Sequence, residues 1–286
     1  MKKGPIKLIE CPRDAMQGWK SLIPAEKKAD YINTLLEVGF DTIDFGSFVS
    51  PKAIPQMADT SKVVTLLRPR TGGTKLLAII ANQRGAEEAS LYDQIHYLGF
   101  PFSISETFQY RNTHSTIQES LKRVEAIQDI CRQKDKELVV YISMAFGNPY
   151  GDTYSEEIAY EWAARLAQLD IKTISLADTV GIASPDQVYR MTRYLVESLP
   201  EIEIGVHLHS TADNWQLKLE AAVNAGCLRF DGALKGIGGC PMANDELVGN
   251  MNTEWMIDFF EKNQIMGELN QSALEKSLAL ATEIFV

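Results

Sequence analysis

Ile202-Glu203-Ile204-Gly205-Val206-His207-Leu208-His209 reads as a strand with two unlike faces. Ile202, Ile204, Val206 and Leu208 alternate with Glu203, Gly205, His207 and His209, so a period of two sends the aliphatic side chains one way and both imidazoles the other. Helices packed on a sheet would cover the aliphatic face. The histidines then need an inward face that still meets water, and the mouth of a closed barrel provides one.

Working outward from this segment, eight β-rich runs punctuate the chain, at 6–11, 42–48, 75–81, 101–105, 137–144, 171–177, 202–209 and 229–235. Stretches with helical spacing lie between them, at 25–38, 86–98, 117–132, 156–169, 185–199 and 211–225. Three of these end on glycine, in Glu37-Val38-Gly39-Phe40, Tyr97-Leu98-Gly99-Phe100 and Asn224-Ala225-Gly226-Cys227, where a left-handed residue stops a helix. Repeated βα units without a long linker predict an α/β protein, a (β/α)8 TIM barrel over 5–265 with a short C-terminal helical extension over 266–286. An open doubly wound sheet is the alternative, but the first βα turn reads Cys11-Pro12-Arg13-Asp14-Ala15-Met16-Gln17 and lacks the GxGxxG of a dinucleotide fold.

The chain has 286 residues, 45% of them hydrophobic and 23% charged, enough to bury a large core. Its 38 acidic and 28 basic residues leave a net charge of -10 without a basic block, which argues against nucleic acid as a partner. No apolar run suits a membrane span, and Pro5 and nearby charges interrupt any leader-like start, so a cytoplasmic location is expected. Cys11, Cys131, Cys227 and Cys240 show neither CxxC nor finger spacing, so no disulfide scaffold or structural zinc site is expected.

In a barrel of this kind the chemistry belongs at the carboxyl ends of the strands. That rule selects Arg13 and Asp14, Asp44 and Ser47, Glu106, Asp178, His207 and His209, and Cys240. Closure sets the last strand between the seventh and the first, bringing Asp14, both histidines and the Cys240 loop into one sector. One carboxylate and two imidazoles suit Mg2+ or Mn2+, and Zn2+ less well, with positions left open for a substrate. The plainer alternatives are two ordinary polar histidines and a strand-end Arg13–Asp14 ion pair. Cys240, in Lys235-Gly236-Ile237-Gly238-Gly239-Cys240-Pro241, reads either as a reactive thiol or as part of a glycine loop that cradles phosphate. Cys131, Cys227, His96 and His114 read as structural or surface residues in helical or loop positions.

These motifs resemble the 3-hydroxy-3-methylglutaryl-CoA lyases, within the wider pyruvate carboxyltransferase-like group of metal-dependent barrel lyases and Claisen-condensing enzymes. The resemblance rests on Pro12-Arg13-Asp14-Ala15-Met16-Gln17, Ser47-Phe48-Val49-Ser50-Pro51-Lys52, Ile54-Pro55-Gln56-Met57, Ser175-Leu176-Ala177-Asp178-Thr179-Val180-Gly181, His207-Leu208-His209 and Gly236-Ile237-Gly238-Gly239-Cys240-Pro241. It implies metal ligands at Asp14, His207, His209 and Asn250, and a catalytic cysteine at Cys240. Arg13 falls on the arginine that stabilises an enolate, Asp44 on a catalytic glutamate, and Asp178 on an acid-base or supporting aspartate. Gln17, Lys20, Ser47 and Asn112 fall on substrate contacts.

The activity so implied is cleavage of 3-hydroxy-3-methylglutaryl-CoA, or a related 3-hydroxyacyl-CoA, to acetyl-CoA and acetoacetate; the exposed helices around such a barrel lead a homodimer to be expected. Departures from the family pattern qualify the substrate. Ala15-Met16 replaces Gly-Leu, Ser210 replaces an aspartate, Asp44 is one methylene shorter than glutamate, and 242–250 is longer and more acidic than usual. A smaller hydroxy or oxo acid is therefore a second substrate class, reached by Claisen condensation as in isopropylmalate or homocitrate synthases, or by aldol cleavage of a 4-hydroxy-2-oxo acid. A non-catalytic metal-binding homologue is the remaining alternative.

Overall fold

The computed structural model describes residues 4–68, 72–239 and 248–286. Eight strands, β1 (Lys7–Glu10), β2 (Thr42–Ser47), β3 (Lys75–Ile79), β4 (Ile95–Ser103), β5 (Glu137–Ser143), β6 (Thr173–Ala177), β7 (Glu203–His207) and β9 (Arg229–Gly232), close into a barrel in chain order. Every pairing is parallel, and β9 bonds to both β7 and β1. The expected (β/α)8 barrel is therefore the fold.

Helices α2 (Ala25–Leu35), α3 (Thr60–Leu66), α4 (Gln83–Ala89), α6 (Ile117–Gln133), α7 (Glu156–Gln168), α8 (Pro185–Ser198), α9 (Trp215–Asn224) and α10 (Thr253–Lys262) follow the strands. Their starts are written in the sequence: Thr116 with Glu119 and Ser184 with Gln187 form reciprocal capping boxes on α6 and α8. The short helices α1 (Pro12–Gln17) and α5 (Glu106–Thr113) sit at the carboxyl ends of β1 and β4. The last helix, α11 (Gln271–Ile284), lies against α2, and Phe285 meets Trp19 and Tyr31 edge-on with ring centroids 5.3 and 6.3 Å apart. Among the described residues no helix is long and apolar enough to cross a membrane.

The fourth strand begins six residues before the expected start, and the expected helix over 86–98 stops at Ala89. Tyr97-Leu98-Gly99-Phe100 is therefore strand and not a helix end. Gly39 and Gly226 do take the left-handed angles expected of helix stops, at φ +99° and +91°. Gly99 has another purpose. A Cβ there would lie 2.6 Å from Ile79 Cδ1 and 3.0 Å from Leu77 Cδ2, so its bare backbone lets the inner apolar cluster of Leu77, Ile79, Tyr97, Val139 and Tyr141 close. Apolar residues spaced through 91–98 fit a buried helix as well as a strand covered on both faces, which is why pattern alone misassigned them. His96 accordingly lies on β4, not in a helix or loop.

Two irregularities aim side chains at the mouth. In β2 the register with β3 slips between Asp44 and Gly46, so that Asp44 pairs with Leu77 and Ser47 with Ile79. Leu77 and Ile79 both face the interior, and the extra residue lets Asp44 and Ser47, three apart, do the same. After β7 the chain breaks at Leu208, and β8 (His209–Ser210) pairs antiparallel with β10 (Gly249–Asn250), setting Asn250 opposite His209.

Below this pairing, Glu10 anchors the approach to the glycine loop. Its fully buried carboxyl accepts from Leu234 N at 2.9 Å and is bonded to the Thr253 hydroxyl at 2.6 Å. Burial pushes this acid up to about 8 against those hydrogen bonds.

Candidate active site

Helix α1 turns directly off β1, and its pitch stacks Arg13 above Gln17 while leaving Asp14 beside both. Arg13 Nε and Nη2 donate to the Asp44 carboxylate at 3.0 and 2.6 Å, and Nη1 donates to Asp14 Oδ1 and Gln17 Oε1, each at 2.9 Å. Gln17 Nε2 donates to the same Asp14 oxygen at 2.6 Å. Asn250 Nδ2 donates to Asp14 Oδ2 at 2.7 Å and to Ile237 O at 2.9 Å. One guanidinium thus joins the carboxylates of β2 and α1, and β10 closes over them.

Asp14, His207 and His209 present donor atoms that all lie within 4.8 Å of one another. The two imidazoles meet edge-on at 5.3 Å. His209 Nε2 and Asn250 Oδ1 are buried polar atoms without a hydrogen-bond partner among the described residues. Two orphaned polar atoms beside a carboxylate suit a cation, and the mixed oxygen and nitrogen set suits a divalent one.

Electrostatics agree with that geometry. Burial would raise Asp14, but Arg13 and both histidines outweigh it and hold the acid below its ordinary value. Burial, with His207 beside it, pushes His209 down to about 4, which leaves a neutral ring able to bind metal. For His207 burial works the same way, yet Asp231 and Asp14 overcome it and raise the ring. Burial lifts Asp44 to about 6 against the downward pull of Arg13, placing a carboxyl that exchanges its proton near neutrality next to a fixed cation.

The remaining expected residues fall out differently. Asp178 is spoken for on both oxygens: Ala183 N donates to Oδ1 at 3.1 Å, and Lys218 Nζ donates to Oδ2 at 2.7 Å. Lys218, fully buried, also donates to His209 O at 2.8 Å and Gly181 O at 3.2 Å, so this ion pair braces the backbone of a candidate ligand. Glu106 accepts from Ile117 N at 3.2 Å, at the first turn of α6. Ser47 Oγ is buried and unpartnered among the described residues. Lys20 and Asn112 are exposed, beyond α1 and on α5. Cys240 lies outside the described residues. Gly238, two residues before it, is pressed against the cluster: a Cβ there would sit 2.6 Å from Asn250 Nδ2 and 2.8 Å from Asp14 O.

Sequence reasoning missed Asp231, Lys218, Tyr141 and Ser175. Asp231 Oδ2 lies 3.3 Å from His207 Nδ1. Tyr141 stands edge-on to His207 at 6.1 Å, and its hydroxyl, like Ser175 Oγ, is buried with no partner among the described residues. The last strand was expected to run to 235 and ends at Gly232, which moves Asp231 from mid-strand to the strand end. Lys218 carried a signal of its own, a charge on the helix face shared by Ala221 and Ala222.

A family model described as HMGL-like matches residues 6–280. The chain belongs to the HMGL-like family. Among curated proteins, the 3-hydroxy-3-isohexenylglutaryl-CoA/hydroxy-methylglutaryl-CoA lyase of Pseudomonas aeruginosa is 33% identical over 252 residues, covering 87% of this chain and 82% of that protein. The (R)-citramalyl-CoA lyase of Chloroflexus aurantiacus is 30% identical over 272 residues, covering 92% of this chain and 85% of that one. Among solved structures, an HMG-CoA lyase of Acinetobacter baumannii in complex with coenzyme A and 3-methylmalate superposes with a TM-score of 0.91 at 30% identity, covering 100% of this chain and 92% of the other. The family resemblance read from the motifs is thus correct, and the chain is an oxo-acid carbon–carbon lyase.

Proposed function

We propose that this lyase acts on a coenzyme A thioester whose acyl chain carries a tertiary 3-hydroxyl and a carboxylate, 3-hydroxy-3-methylglutaryl-CoA or a close relative, and splits it to acetyl-CoA and an oxo acid. Relatives acting on hydroxymethylglutaryl-CoA and citramalyl-CoA support the thioester class. The observation that carries the reading is the Arg13 fork joining Asp44 to Asp14 within reach of two histidines at the barrel mouth.

Cleavage breaks the bond between the carbinol carbon and the carbon next to the thioester. The hydroxyl gives up its proton and becomes a ketone, and the bond pair is left as the enolate of acetyl-CoA, which then takes a proton. Asp14, His207, His209 and Asn250 would hold Mg2+ or Mn2+, which when bound supplies a Lewis acid for the hydroxyl and carboxylate oxygens. Arg13 is a permanent charge fixed before reaction, able to stabilise a developing oxyanion at no reorganisation cost. Asp44, at about 6, accepts a proton at its carboxylate near neutral pH. Cys240 is proposed as the donor that protonates the enolate, since the preceding glycines lie against Asp14 and Asn250.

The test follows purified protein with Mg2+ or Mn2+ for acetyl-CoA release from 3-hydroxy-3-methylglutaryl-CoA and citramalyl-CoA, and for pyruvate release from a 4-hydroxy-2-oxo acid. Turnover of a thioester that is abolished in Cys240→Ser is expected. Turnover of the free hydroxy-oxo acid alone would replace this reading with an aldolase.

A further inference from the structure

His207 belongs to two sets of donor atoms. Asp14 and His209 complete one, and Cys11 and Asp231 the other, each set falling within 4.8 Å of one another. An imidazole binds a cation through one nitrogen in a fixed orientation only when the other nitrogen is tied down. Here the tie comes from the barrel itself: β7 pairs with β9 so that His207 faces Asp231 directly, and Asp231 Oδ2 reaches His207 Nδ1 at 3.3 Å. The Asp231 side chain is fully buried, and its second oxygen has no hydrogen-bond partner among the described residues. Its one described hydrogen-bond partner is the ring.

We infer that Asp231 is a positioning residue, accepting the Nδ1 proton of His207 and so turning Nε2, lone pair outward, toward Asp14 and His209. The inference rests on the proposed cation site. A carboxylate is a stronger acceptor for an imidazole N–H than a neutral oxygen, and it raises the basicity of the far nitrogen.

The chain has only four histidines, so a histidine-selective 15N spectrum of the metal-free protein resolves His207 directly. The expected result is an Nδ1–H tautomer at His207 in the wild type and in Asp231→Asn, which keeps an acceptor oxygen, and its loss in Asp231→Ala. Mn2+ titrations followed by electron paramagnetic resonance should show affinity about 10- to 100-fold weaker in Asp231→Ala, with most of it restored in Asp231→Asn. A merely structural role would lower the melting temperature of both variants without moving the tautomer. An Nε2–H tautomer at His207 in the wild type overturns the inference, as does unchanged Mn2+ affinity in Asp231→Ala. A thiolate-to-metal band in the Co2+-loaded protein that vanishes in Cys11→Ser also overturns it, by placing the cation in the other set. If the wild type binds no Mn2+, the cation site itself fails, while the tautomer, read without metal, still judges Asp231.

Discussion

Replacing Glu10 with glutamine should stabilise the protein in alkaline solution and leave it almost unchanged in acid. The native carboxyl holds its proton up to about 8, whereas the unfolded chain releases it near the ordinary 4.5. Between those values the folded protein binds one more proton than the unfolded one, so stability falls as pH rises, by about 1.4 kcal/mol for each pH unit. The loss begins above 4.5, amounts to roughly 3 kcal/mol at pH 7, and levels off above 8 at a ceiling of roughly 5 kcal/mol. Glutamine imitates the protonated acid: its carbonyl can still accept from Leu234 N, and its amide can donate to the Thr253 hydroxyl. Urea unfolding of both proteins at half-unit steps from pH 5 to 9 gives the difference directly. The curves should meet near pH 5 and separate with rising pH, the variant being more stable. Parallel curves, or a variant weaker at pH 8, would show that Glu10 is ionised in the native barrel and refute the argument.

Lys218→Met should cost about 3–5 kcal/mol in chemical denaturation, because it strands the Asp178 carboxylate in the interior, and adding Asp178→Asn should recover part of that loss. Gly99→Ala should destabilise by about 1–3 kcal/mol, since its methyl would meet Ile79 Cδ1 at 2.6 Å, and Ile79→Ala in the same chain should relieve the clash as read by melting temperature. Because Asp44 is lifted to about 6 and is proposed as a base, kcat should fall as the pH drops through 6; Asp44→Asn should lower kcat about 100-fold or more and abolish that limb of the profile. An acid limb that persists in Asp44→Asn would assign it to another group.

The barrel was legible because its evidence is repeated: strand, helix and glycine stop recur, and one misassigned unit does not alter the count. The strand around Gly99 shows the limit. A short apolar run buried on both faces carries no period, and only three-dimensional crowding by Leu77 and Ile79 explains the glycine. Arg13, Asp14, His207 and His209 were visible because they end strands or open the turns that follow. Asn250 came from motif resemblance alone, since nothing in the order of residues announces that two-residue strands would set it opposite His209. Asp231 was hidden by three residues of strand drawn too long, and Lys218 by the habit of reading lysine on a helix as solvated.

The slip in β2 has a consequence for how this chain can change. Asp44 and Ser47 look into the barrel together only because one residue between them is surplus to the ladder. Taking out that residue would leave the two side chains two apart in a regular ladder, still on one face, whereas inserting another into the ladder between them would turn the hydroxyl out among the helices. That stretch can therefore shorten by one far more readily than it can lengthen.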